Sequence, residues 1–315
     1  MRDHGVNTPA DESVHEVAVI GTGMIGTSIA LALRAKGILT YLCDRDPNAA
    51  AMAAARRAGV VGLPAAPVDI AVLAVPPSDI AAVLAECQAK SLAHFYTDVG
   101  SVKVAPTAEA EVIGCDLTNY VGGHPMVGSE RSGPLAASAD LFRARAWALT
   151  PLPNASPAAI DAVVELVGLT GAHAVMMTPS EHDRAIARIS HVPYLVACAL
   201  AASVQGADDA VSRLRGAGIR EAARVAAGDT ALWRDILRAN ATEVSKVLSE
   251  IATELTTVAA SMCSDSAELI ELLNRGNAGR AFLTAEPSDA IARRQLGRSA
   301  GKSSAARGMP ADSRQ

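Results

Sequence analysis

The 315-residue chain is half apolar but only 3% aromatic, carries a net charge of −5 and contains five cysteines. It is long enough for two domains and a large core built mainly from aliphatic and alanine packing. The acidic balance, with no long basic run, excludes wholesale nucleic-acid binding. Cys43, Cys87, Cys115, Cys198 and Cys263 are odd in number and form no C-x-x-C pair, so they read as reduced thiols of a cytoplasmic protein. The polar first 15 residues lack a signal-peptide core, and no charge-free apolar run reaches the length of a membrane span.

Residues 1–14 are expected to be a flexible tail. Val17 to Asp44 then reads VAVIGTGMIGTSIALALRAKGILTYLCD. This is a β-rich run, a glycine turn, an alanine-rich helical pattern and a second strand. Gly21, Gly23 and Gly26 form G-x-G-x-x-G: the first allows the tight turn, the second a close approach by a pyrophosphate, and the third tight helix–strand packing. The helix-start amides of Met24 and Ile25 would face that pyrophosphate. Asp44 lies 18 residues past Gly26, near the spacing of a carboxylate that accepts from a ribose 2′-hydroxyl. That favours NAD over NADP, against the nearby cations Arg34 and Arg45.

Pro47 opens an alanine-rich helix to Arg57. Val68 to Val75 is an apolar run suited to a strand buried on both faces, and Pro76 and Pro77 end it. Ser78 is expected to cap a helix through Lys90, and His94 to Val99 to form the next strand. Val75, Pro76 and Asp98, at strand carboxyl ends, join the expected cofactor-binding set. Ser101 stands in DVGSVK, either as a helix cap or as a site residue. His124, in YVGGHPMVGSE, is bracketed by glycines that offer little mass to bury it. A strand at Trp147 to Thr150, a helix at Pro157 to Leu169 and a strand at Ala172 to Thr178 complete a doubly wound α/β sheet over residues 15–178.

Beyond Pro179 the pattern is helical alone, defining a second domain over residues 179–284. A long helix starting at Ser180 is expected to kink near Pro193. Gly216 and Gly218 break the chain before Ile219 to Ala227. Asp229 opens a helical stretch toward Met262 in which Val244, Leu248, Ile251, Leu255, Val258 and Met262 form a heptad seam, which can bury against helices of the same chain or, as is expected here, against a second subunit in a homodimer. Another helix is expected from Ser264 to Leu273, and residues 285–315 are expected to be disordered.

GTGMIGTSIA, DVGSVK, GGHPMVGSERSG, ISHVPYLVA and REAARVAAGDTALWRDILRAN occur in this order. Together they resemble the prephenate/arogenate dehydrogenase family of tyrosine biosynthesis. The resemblance implies a Rossmann-type domain followed by an all-α helical dimerisation domain. It also implies NAD-dependent oxidative decarboxylation of prephenate to 4-hydroxyphenylpyruvate, or of arogenate to tyrosine. On the same resemblance, His124 is the catalytic base toward the ring hydroxyl, Ser101 orients both groups, and Arg224 grips a substrate carboxylate. His191, Glu130 and Trp233 complete the substrate site. Without it, Arg224 and Glu130 would read as solvated charges and His191 and Trp233 as packing residues. Arg220 and Gly228 depart from the lysine and serine of some relatives.

A β-hydroxyacid reductase would need a lysine between Pro179 and Asn240, where the chain has none. A non-catalytic NAD sensor would not need His124, Ser101 and Arg224 together. No metal-binding motif occurs.

Overall fold

In the computed structural model, residues 13–128, 132–263 and 267–284 are described. Eight strands form one sheet in the order β3-β2-β1-β4-β5-β6-β7-β8. They are β1 (Glu16–Ile20), β2 (Leu39–Cys43), β3 (Val60–Val61), β4 (Val68–Leu73), β5 (Ala93–Asp98), β6 (Tyr120–Pro125), β7 (Ala146–Pro151) and β8 (His173–Met176). Neighbouring strands are parallel except β6 and β7, which run antiparallel with His124 opposite Ala148. The order reverses between β1 and β4, and that switch point opens the crevice in which doubly wound sheets bind ligands.

The crossover helices are α1 (Met24–Ala35), α2 (Pro47–Ala55), α3 (Ile80–Ala89), α4 (Val104–Ile113) and α5 (Pro157–Leu169). The apolar residues form two clusters. One gathers Val17, Val19, Ile29, Leu33, Ile70, Trp147 and Leu166; the other gathers Ala18, Leu73, Ile80, Leu84 and Tyr96. Val17, Ala18 and Val19 alternate between them, as the two-residue period of a strand buried on both faces requires.

Some local expectations change. The two-residue edge strand β3 lacks a sequence signal because Val60 and Val61 are too few to show alternation. Ser78 caps nothing: Pro77–Asp79 forms a 3-10 turn, and α3 starts after it without a side-chain cap.

After Met176 every described regular element is helical: α6 (Pro179–Ile186), α7 (Val192–Ser203), α8 (Asp209–Leu214), α9 (Ala217–Ala223), α10 (Thr230–Ala239), α11 (Ala241–Ser261) and α12 (Ala267–Thr284). The expected kink is a π turn over Ala187–His191, directly before Pro193 near the start of α7. Pro193 has no amide to donate, and widening the preceding turn accommodates that loss. The run Pro179–Ser203 is long and apolar enough to cross a membrane by length and composition. It nevertheless places His182, Asp183 and His191 inside the protein, as a core helix does. Asp229 caps α10 by accepting from the Leu232 amide at 2.8 Å, and the expected long helix breaks at Asn240. The start of the helix expected at Ser264 lies outside the described residues.

The chain divides into two compact units, one ending at Ser249 and the other beginning at Glu250. In the second, Arg275 pairs with Glu254, and Leu255, Met262, Ile270 and Leu273 are exposed.

Candidate active site

The glycine loop is held by backbone. Gly21 has φ +98°, and a Cβ there would overlap the Ala74 carbonyl; one on Gly26 would overlap the Gly21 carbonyl. Gly21 N donates to Cys43 O at 2.8 Å, and Ala74 N to Ile20 O at 2.7 Å, so the loop is anchored to both neighbouring strands. Around Gly23 the space is open. Gly23 is the N-cap of α1 and supplies no capping side chain, which leaves the Met24 and Ile25 amides available to an anion.

A cavity of about 800 Å³ begins here, lined by Gly21, Gly23, Asp44, Arg45, Val75 and Pro76 among others. Asp44 Oδ2 accepts from Thr22 N at 2.6 Å and Thr22 Oγ1 at 2.9 Å, and Oδ1 accepts from Asp46 N at 2.9 Å. The carboxylate is thereby fixed at the cavity edge. Arg45, facing Asp79 at 3.6 Å, remains exposed. Open space at Gly23, the free first-turn amides and the fixed carboxylate suit a dinucleotide whose pyrophosphate meets the helix and whose ribose meets Asp44.

Asp98 departs from the expected set. Its side chain is fully buried and directed inward, where it pairs with the buried Lys103 ammonium. Asp98 Oδ2 also accepts from Tyr120 Oη at 2.5 Å, and Oδ1 from Gly100 N at 2.6 Å. Lys103 Nζ donates to Gly123 O at 2.6 Å. The Asp98–Lys103 pair thus fastens the loop containing Ser101 to the strand residue before His124. Burial holds the Lys103 pKa down, against the opposing pull of Asp98. Burial first, and then Asp98, raise the Tyr120 phenol well above its ordinary value.

Ser101 does not cap α4. Its N-terminal amides are taken by Asp183, 80 residues further along: Lys103 N donates to Oδ1 at 2.8 Å and Val104 N to Oδ2 at 2.9 Å. Asp183 Oδ1 also lies 2.7 Å from His182 Nδ1, and His182 Nε2 lies 2.9 Å from His124 Nδ1. His124 is half-buried near the end of β6. Burial chiefly holds its pKa well below that of an ordinary histidine.

Nothing in the sequence reading singled out His182, Asp183, Lys103 or Asn240. Thr178 and Glu181 form a capping box at the start of α6, which fixes the register that turns His182 and Asp183 inward. No local signal marks them: His182 and Asp183 stand in the polar stretch SEHDR, which reads as a solvated helix start.

His191, at the end of the π turn, is buried. Its Nδ1 faces Asn240 Nδ2 at 3.2 Å, while the Asn240 amide also donates to Asp183 O at 2.8 Å. His191 Nε2 is buried without a protein partner. Burial pushes the His191 pKa down to about 4.

A second cavity, of about 420 Å³, is lined by Gly128, Pro193, Tyr194, Arg224, Gly228 and Trp233 among others. Trp233 stacks on Tyr194 with ring centres 3.7 Å apart and planes within 3°, and meets His191 edge-on at 6.2 Å. A Cβ at Gly228 would overlap the Trp233 indole. Glycine at this departure from some relatives is therefore matched to the tryptophan wall. Arg224, in a 3-10 turn after α9, is exposed and reaches this cavity. Glu130 lies outside the described residues. Among the described residues no cluster of three or more potential ligands could hold a metal.

Residues 29–176 match the family model of the prephenate dehydrogenase nucleotide-binding domain, and residues 178–275 that of the prephenate dehydrogenase dimerization domain. The chain is 42% identical over 269 residues to a probable prephenate dehydrogenase, NovF, of Streptomyces niveus, covering 82% of this chain and 74% of that one. It is 32% identical to the prephenate dehydrogenase of Bacillus subtilis, over 71% of this chain and 64% of the relative. Among solved structures, the A. aeolicus prephenate dehydrogenase in complex with hydroxyphenyl propionate and NAD+ superposes with a TM-score of 0.77 at 25% identity, covering 86% and 99% of the two chains. Synechocystis arogenate dehydrogenase superposes with a TM-score of 0.73 at 27% identity, covering 85% and 100%. With both domain models matched in order across most of its length, this chain belongs to the prephenate dehydrogenase family.

Proposed function

We propose that the protein catalyses NAD-dependent oxidative decarboxylation of prephenate to 4-hydroxyphenylpyruvate. Beyond family membership, the observation that carries this reading is a histidine kept neutral by burial near the carboxyl end of β6. It stands four residues before Gly128, which lines the cavity holding Arg224. Base and cation are the two groups this substrate needs.

Gly21, Gly23, Met24, Ile25, Gly26, Asp44, Val75 and Pro76 would hold the dinucleotide, which supplies the hydride acceptor. His124 accepts the proton of the ring hydroxyl as hydride leaves the carbon that bears it. The ring carboxylate then departs as carbon dioxide, its bonding electrons make the ring aromatic, and the proton returns to the ring oxygen. Aromatisation supplies the driving force, so the protein's work is placement and proton transfer.

Arg224 binds a substrate carboxylate as a bidentate fork. Ser101 orients the hydroxyl against His124. Asn240 donates to His191 Nδ1, which leaves Nε2 as the protonated nitrogen. A substrate oxygen would satisfy that buried donor. Trp233 walls the pocket, and Glu130, six residues after His124 in the sequence, joins the substrate set on the family resemblance alone.

We also assign a cytoplasmic homodimer. All five cysteines are free, in keeping with a reducing compartment. Along the heptad seam Val244 and Val258 are buried, whereas Leu255 and Met262 are 54% and 57% exposed, a stripe that a second subunit would cover.

The test is absorbance at the NADH band with purified protein, prephenate or arogenate, and NAD or NADP. The expected result is turnover with prephenate and NAD. Turnover with arogenate alone would move the substrate to the amino acid named by the Synechocystis relative. Silence in all four mixtures would overturn the dehydrogenase assignment in favour of a non-catalytic nucleotide sensor.

A further inference from the structure

Behind His124 lies a second line of polar groups that the reaction as described does not use. His182 and Asp183 are 1% and 2% exposed, a costly location for two titratable side chains unless their hydrogen bonds are complete. Asp183 fixes the direction of those bonds. Its two oxygens already accept from the backbone amides of Lys103 and Val104 at 2.8 and 2.9 Å. As a carboxylate, Asp183 can only accept.

The bond at 2.7 Å between Asp183 Oδ1 and His182 Nδ1 therefore has the imidazole as donor. A neutral His182 with its proton on Nδ1 presents a bare Nε2. His124 Nδ1, 2.9 Å away, must then donate to it. Once Nδ1 of His124 carries the hydrogen, its Nε2 is the unprotonated nitrogen.

We propose that Asp183 and His182 are positioning residues that hold His124 in the Nδ1–H tautomer, with Nε2 free as the base. The proposal rests on the reading of His124 as that base. When Nε2 takes the substrate proton, the resulting imidazolium keeps its Nδ1–H bond to His182, whose bare nitrogen stabilises the new charge. No proton moves to Asp183. The same carboxylate caps α4 just past Ser101, and Asn240 donates to the Asp183 backbone carbonyl at 2.8 Å. One residue thus ties together the start of α4, the histidine pair and the end of α10.

The competing arrangement is a His182 imidazolium donating from Nε2 to His124 Nδ1. It would put the His124 proton on Nε2 and remove the base. The charged and titratable groups around the pair are Lys103 and Asp98 from the β5–α4 region, Tyr120 from β6, Asp183 from α6 and His191 from the π turn.

The direct test is nitrogen-15 NMR of the full chain labelled at its seven histidines, with the His124 signals assigned by their loss in His124→Asn. Bonded-proton couplings at Nδ1 and a bare Nε2 at pH 7.5 are expected. A proton on Nε2 overturns the proposal.

Kinetics give an independent reading. His182→Leu removes the acceptor and should lower kcat about ten- to hundredfold, the scale of a mis-held base. KM for NAD should be unchanged, and the acid limb of the pH profile should move to lower pH because the His124 cation has lost its partner. His182→Gln, which can place an amide oxygen near the lost Nε2, should recover about tenfold over His182→Leu. A limb moving to higher pH, as removal of a neighbouring cation would cause, contradicts the proposal. So does a kcat within twofold of the parent. If His124→Asn loses turnover while His182→Leu does not, the positioning role fails and the base survives. If His124→Asn turns over normally, both fail.

Discussion

The dinucleotide cavity and the surroundings of His124 are built on opposite plans. The cavity, beside β1, is shaped by backbone: a glycine turn with no room for a Cβ at Gly21 or Gly26, uncapped helix amides and a single carboxylate held by its own loop. The region around His124 is made of side chains that approach from β5, β6, α6 and α10 and bury their charges against one another. A dinucleotide can be gripped by amides that every chain possesses. Moving a proton requires a group with a set ionisation state, and burial among fixed partners sets it. The first region should therefore tolerate side-chain changes that spare its backbone, while the second should fail when any partner is removed.

The largest expected effect is on the buried ion pair. Asp98→Ala leaves the Lys103 ammonium without its carboxylate and Tyr120 without its acceptor. Loss of about 3–5 kcal/mol of stability is expected, read as a fall in the urea midpoint. A change below about 1 kcal/mol would show that the pair is not what holds the Ser101 loop to β6.

Next in size, His124→Asn should reduce turnover roughly 100-fold or more, with NAD affinity nearly unchanged. Arg224→Ala comes third: it should raise KM for prephenate by about tenfold or more through loss of a charge-assisted bond. An unaltered KM would remove Arg224 from carboxylate binding.

Acid should separate the regions as well. Burial holds the His191 pKa at about 4 against an ordinary 6.5, and His124 is shifted in the same direction. The folded state therefore binds fewer protons than the unfolded chain between those values. Stability contributed by keeping these rings neutral is complete above pH 6.5 and declines as pH falls toward 4. A urea midpoint measured at pH 7 and at pH 5 should drop by more in the parent than in His191→Gln.

The smallest effect belongs to the backbone-built cavity. Asp44→Ala should relax discrimination against NADP by about tenfold while leaving prephenate binding alone. An unchanged NAD preference would place that selectivity elsewhere in the cavity.

The same contrast explains what the sequence made legible. Gly21 to Asp44 is a contiguous stretch whose spacing encodes turn, helix start and carboxylate, so β1, α1 and β2 followed from local pattern. α5 was bounded correctly because Ser156 and Pro157 mark its start. His124 stood out through its glycine neighbours, and Arg224 only through resemblance. His182, Asp183 and Asn240 carry no local signature of their role: they meet His124 and His191 across 58 and 49 residues of chain, and only the folded helices bring them together. The inward path of the Asp98 side chain is hidden for the same reason. A strand-end carboxylate suggests a ligand, and the lysine that turns it inward sits five residues later in a loop of unknown path. The π turn likewise follows from how the chain accommodates Pro193, which sequence shows as a kink without its form.

The most direct test of the central assignment is the pH dependence of single-turnover hydride transfer from prephenate, compared between the parent and His124→Asn. A neutral His124 acting as base predicts a parent rate that is flat near neutrality and falls in acid along one limb, below the ordinary histidine range, and a variant that is slow at every pH and lacks that limb. A variant that keeps both the rate and the limb would contradict it.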